Sequence, residues 1–112
     1  MQYEALEQEA VVKYCEYNRI PIFAIPNGGK RNAKEAYYMK KTGVKAGVPD
    51  LCVPVARKGY HGLYIEMKYS KNKPTQAQTD WIELLNNNGY YATVCVGAKE
   101  ALKLLKWYFA KE

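Results

Sequence analysis

Long apolar runs are missing from this chain, and no stretch approaches the length needed to span a bilayer. The first residues, Met-Gln-Tyr-Glu-Ala-Leu-Glu-Gln-Glu, are acidic where a secretory signal is basic and then apolar, so neither export nor membrane insertion is expected. Histidine is scarce, with His61 standing alone. The 3 cysteines, Cys15, Cys52 and Cys95, lie far apart among apolar neighbours and form no Cys-x-x-Cys pair. A disulfide framework and a structural zinc site are thereby excluded, the cysteines read as reduced core residues, and any metal here is expected to be hard and oxygen-bound. Acids are outnumbered, 11 against 17 Lys and Arg, leaving a net charge of +6 and a pI near 9.2. A polyanion is the first partner to consider for so small and basic a chain.

What is present is ordinary globular composition, 48% apolar and 25% charged over 112 residues, enough for one domain spanning 1–112 with one core. No internal repeat, low-complexity tract or linker interrupts it. Tyr3 to about Asn18 carries strong helix formers with Ala10, Val11, Tyr14 and Tyr17 at helical spacing. Projecting that stripe back one turn lands on Glu7, which puts a carboxylate on or beside a buried face unless the first turn is solvated and held by the helix dipole. Ile20 to Ile25 reads as an edge strand because of Pro21, and Pro26-Asn27-Gly28-Gly29 is a loop. Asn32 to about Thr42 reads as a helix capped by Asn32 and closed by Gly43.

Between Asn27 and Gly47 the chain holds Lys30, Arg31, Lys34, Lys40, Lys41 and Lys45 against the single acid Glu35. With Tyr37 and Tyr38, these residues either track a phosphate backbone or form a solvated charged face. Val48 to Val55, apolar apart from Asp50, reads as a central strand starting at Pro49 and ending at Pro54. After the turn at 57–62, Leu63 to Tyr69 alternates, with Leu63, Ile65, Met67 and Tyr69 on one face and Tyr64, Glu66 and Lys68 on the other. Thr75 opens a helix with the stripe Ala77, Trp81, Leu84 and Leu85, ending at Asn86-Asn87-Asn88-Gly89. Tyr90 to Val96 reads as a strand. From Ala98 a last helix buries Ala101, Leu102, Leu105, Tyr108 and Phe109. The order predicts a mixed sheet with helices on both faces, an α/β sandwich.

Pairing through the 57–62 turn brings Asp50, Glu66 and Lys68 to one end of the sheet. Two carboxylates with the backbone carbonyl of Met67 form a sensible site for magnesium, which takes oxygen ligands and retains water. Lys68 would orient or help deprotonate an attacking water, or offset charge developing on a phosphate. Glu-x-Lys in a strand and Pro-Asp before one are each common as plain structure, and their combination carries the signal. His61, in the turn, is placed away from this site.

Gly47-Val48-Pro49-Asp50 followed by Ile65-Glu66-Met67-Lys68 resembles the PD-(D/E)XK nuclease superfamily. More narrowly, Ile25 to Arg31, Gly43 to Leu51 and Thr75-x-x-Gln78-x-x-Trp81 resemble the VRR-Nuc, or virus-type replication-repair nuclease, domain over nearly the whole chain. The resemblance implies a restriction-endonuclease-like core (αβ-insert-ββαβα), dependence on Mg2+ or Mn2+, and cleavage of DNA. It also implies a homodimer acting on branched DNA such as Holliday junctions, in the cytoplasm of a bacterial cell or phage-infected host. By the same resemblance Asp50 and Glu66 are metal ligands, Lys68 is the catalytic lysine and Gln78 positions water, metal or phosphate. Thr75-x-x-Gln78 is equally a capping box. The resemblance also implies a first-helix glutamate as a further catalytic and metal-binding group; it corresponds to Glu7 or Glu4, with Glu7 favoured by the apolar stripe. Asn27, Lys30, Arg31, Lys34 and Lys45 are assigned to DNA contact on charge alone. A nickase or exonuclease on flaps or single strands, and a non-catalytic DNA-binding adaptor, are the competing readings.

Overall fold

Period-two patterning around Glu66 and period-3.6 patterning on either side of it build a sheet with helices packed against it. The structure, a computed structural model, describes residues 2–26 and 32–111, with side chains from residue 4 onward. The elements run α1 (Gln2–Tyr17), β1 (Phe23–Ala24), α2 (Ala33–Lys41), β2 (Leu51–Val53), β3 (Leu63–Lys68), α3 (Gln76–Asn87), β4 (Tyr91–Val96) and α4 (Gly97–Phe109). The sheet has the order β1-β2-β3-β4, with β1, β2 and β3 antiparallel and β4 parallel to β3. This is the mixed α/β architecture expected.

One sheet face carries the core: Leu51, Val53, Leu63, Ile65, Met67 and Cys95 pack with Val11 and Cys15 of α1 and Ala101, Leu105 and Tyr108 of α4. All three cysteines are free and buried. The other face carries Tyr64, Glu66 and Lys68 of β3, and α3 packs beside β4. There Asn86 pairs both backbone groups of Ala92, donating through Nδ2 to the carbonyl and accepting at Oδ1 from the N–H. Glu100 accepts from the Val96 N–H farther along.

Four elements differ from their sequence reading. The strand at Ile20–Ile25 shortens to Phe23–Ala24, both exposed, because Pro21 has no N–H to give a ladder. The strand at Val48–Val55 shortens to Leu51–Val53, bounded by Pro49 and Pro54 for the same reason. In α1 the buried positions are Val11 and Cys15, whereas Ala10 is exposed and Tyr17 is 88% exposed, so the stripe lies one position round from the one the tyrosines suggest. Leu84 of α3 is likewise half exposed, and only Leu85 is buried.

The helix ends match the local signals. Asn32 and Glu35 form a capping box on α2, and Thr75 and Gln78 form one on α3. α2 closes in a Schellman arrangement, with Gly43 at φ +112° donating to Lys40 and Val44 donating to Met39. No helix among the described residues is long and apolar enough to cross a membrane.

Candidate active site

β2 begins immediately after Asp50, and its antiparallel register, Leu51 opposite Ile65, continued by one residue sets Asp50 across from Glu66. Asp50 Oδ2 accepts a 2.8 Å hydrogen bond from the Met67 N–H. The N–H and C=O of one strand residue point to the same edge, so the Met67 carbonyl also faces the Asp50 side, beyond the last β2 pairing. Glu66 and Lys68 project from the same face of β3, and Lys68 Nζ lies 3.5 Å from Glu66 Oε2. The expected trio therefore meets at one end of the sheet.

Glu66 is the buried charged residue of the described core, 2% exposed; no donor reaches its Oε1, and its carboxyl lies within hydrogen-bonding reach of that of Asp50. An unsatisfied buried carboxylate oxygen is costly and calls for an explanation. Burial and then the charge of Asp50 push the Glu66 carboxyl up to about 7, against the opposing pull of Lys68. Burial also raises Asp50, opposed by the Met67 N–H and Lys68. A divalent cation fits this pair, because it would satisfy the orphaned oxygen and neutralise the mutual repulsion. Among the described residues no three His, Cys, Asp or Glu side chains cluster as a metal cage. The donor set is thus two carboxylates plus a carbonyl, the sparse kind that suits an ion keeping several waters.

These groups open onto a cleft of about 1000 Å³ whose far wall comes from α1, α3 and the Ala46–Gly47 loop. Gln78 lines it as expected, and its side chain is also committed locally: Oε1 accepts from the Thr75 N–H at 2.9 Å. The capping box is thus formed, and it holds the amide at the rim of the cleft.

The first-helix carboxylates divide differently from the sequence reading. Glu4 and Gln8, one turn apart, line the cleft. Glu7 does not; its Oε1 accepts from the Ala98 N–H at 2.6 Å and lies where it caps α4. α4 has Val96 at its N-cap with no capping side chain of its own, and Glu7 supplies that acceptor from 91 residues away. Of the two positions open to Glu7, the structure shows the half-buried one, and its partner is a helix terminus.

Two contributors act in ways that no sequence pattern discloses. The Tyr69 hydroxyl donates to the Glu4 carbonyl at 3.0 Å, tying the first turn of α1 to the end of β3. Burial, then the charges of Asp50, Glu4, Glu7 and Glu66, push this phenol up to about 12. Gly47, at φ +92°, brings the Asp50 loop so close to α3 that a Cβ there would lie 2.6 Å from the Ala77 carbonyl carbon. Alternation assigns Tyr69 simply to the core face, and the Gly47 approach is a tertiary contact.

Lys34 and Lys45 are exposed, Lys34 on α2, whereas Asn27, Lys30 and Arg31 lie outside the described residues. His61 stands apart from the cleft, its ring edge-on to Tyr90 and against Gly89.

No curated protein matches the chain. The model of the VRR-NUC domain matches residues 5–99. Among solved structures, a VRR-NUC domain protein is 33% identical and superposes with a TM-score of 0.82, over 96% of this chain and 88% of that one. Fold and sequence thus agree over nearly the whole length, and the chain belongs to the VRR-NUC domain family, as a nuclease-type module.

Proposed function

We propose that this domain hydrolyses phosphodiesters of branched DNA, with Mg2+ or Mn2+ held by Asp50, Glu66 and the Met67 carbonyl. The observation that carries the reading is the buried Glu66 Oε1, reached by no donor, beside a second carboxylate and a lysine. When bound, such an ion supplies charge stabilisation at the phosphate and an acidified water. Lys68 Nζ, 14% exposed by its side chain and ion-paired to Glu66, would hold the attacking water or offset charge on a phosphate oxygen. Gln78, its Oε1 occupied by Thr75, offers its amide Nε2 as a donor to phosphate or water. Glu4, rather than Glu7, is the first-helix carboxylate facing these groups, and Tyr69 fixes the turn that carries it. Lys34 and Lys45 contact the DNA backbone. A single protomer presents one such centre, so symmetrical cutting of a four-way junction calls for a homodimer.

The test is a panel of four-way junction, flap, nicked and linear DNA incubated with the protein and magnesium. The junction should be cut. Asp50→Ala and Lys68→Ala should each lower cutting roughly a hundredfold or more while the junction is still bound. Wild-type activity in either variant would overturn the mechanism.

A further inference from the structure

α2 carries Lys34, Tyr37, Tyr38 and Lys41 at positions i, i+3, i+4 and i+7, the spacing that defines one face of a helix. A globular helix normally turns that face to the core. Here no residue of α2 is buried, and Tyr37 and Tyr38 are 61% and 56% exposed. The rings stand edge to face with centroids 6.0 Å apart, and Lys41 Nζ lies 5.6 Å over the Tyr37 ring. The acid on this helix, Glu35, is engaged in the capping box with Asn32. α2 is therefore a short, independently capped arm that shows solvent a pair of aromatic rings bracketed by cations.

Such a face has two requirements of a partner: negative charge beside the lysines and flat apolar surface against the rings. Intact duplex DNA meets the first and hides the second, because its bases are stacked. We propose that the Lys34–Tyr37–Tyr38–Lys41 face is the element that recognises unstacked bases at a DNA branch point, the tyrosines stacking on or wedging beside those bases while the lysines hold the flanking phosphates. Stacking on aromatic side chains tolerates any base, and wedging side chains exploit steps where stacking is already broken. The arm thereby favours DNA shape over sequence. This rests on the nuclease reading above and adds to it the part of the molecule that selects branched substrate.

The experiment measures binding of the full chain, in EDTA so that no cutting occurs, to a four-way junction and to linear duplex of the same arm sequence. A second readout is the fluorescence of 2-aminopurine placed at the branch point. The wild-type protein should prefer the junction, and Tyr37→Ala with Tyr38→Ala should reduce that preference roughly tenfold or more and remove the fluorescence change. Lys34→Gln with Lys41→Gln should instead weaken binding to both DNAs alike. Circular dichroism of each variant checks that the helices remain, and Tyr37→Phe with Tyr38→Phe, which keeps the rings, should restore the preference. An unchanged junction preference in the alanine variant would overturn the proposal, even with cutting and its Asp50 dependence intact. So would a shift of that variant from dimer to monomer in sedimentation, which would assign the face to a second copy of the chain.

Discussion

Glu66 concentrates the electrostatic tension of the cleft. Its carboxyl, raised from 4.5 to about 7 by burial first and by Asp50 second, binds a proton more readily in the folded protein than in the unfolded chain. The resulting stability is fully present below about 4.5 and is lost as pH rises through about 7. Asp50, shifted in the same direction, adds to the trend. In EDTA the melting temperature should therefore fall between pH 5 and pH 8, Glu66→Gln should flatten the fall, and magnesium at pH 8 should recover it by binding the folded form. A flat melting profile in EDTA would show that Glu66 is not held against its own charge.

Gly47 carries the element-scale constraint, because it locks the loop bearing Asp50 onto the first turn of α3. A methyl group at this position meets the Ala77 backbone at 2.6 Å and also forces an L side chain to φ +92°. Gly43 has a comparable φ of +112°, but a methyl group there would project into open space. Gly43→Ala should accordingly cost about 1 kcal/mol, while Gly47→Ala should cost about 3 kcal/mol or more in urea denaturation, and only the latter should depress cutting. Equal losses would mean that the contact with Ala77 relaxes freely. The same scale shows what the sequence discloses. The Asn32 cap, the Thr75–Gln78 capping box, the Gly43 closure, the β3 alternation and the meeting of Asp50, Glu66 and Lys68 are legible because each depends on residues close in sequence or on one hairpin register. The short strands at Phe23 and Leu51 and the exposed Tyr17 and Leu84 are less so, since the sheet decides how much of an apolar run it can pair. The Glu7 cap on α4 and the Tyr69 tie to Glu4 join segments 91 and 65 residues apart, which no local pattern records.

Across the whole molecule the basic excess is a binding term that salt should reveal. If Lys34 and Lys45 each meet a phosphate, replacing both with Gln should reduce the slope of log affinity against log salt by roughly 0.9 for each phosphate no longer neutralised. Fluorescence anisotropy with duplex DNA across a salt series measures this, and an unchanged slope would remove both lysines from the interface. The margins of the sheet bear on how copies of the chain meet. With Asn86 answering both groups of Ala92 and Glu100 answering Val96, the outer margin of β4 is largely spoken for, and the opposite margin at β1 is only two residues long. Side-by-side zippering of sheets, the common route from concentrated β-protein to fibres, is thus poorly supported at either margin. Any association of copies is thereby directed to helix or loop surfaces, which favours a finite assembly over an open-ended stack.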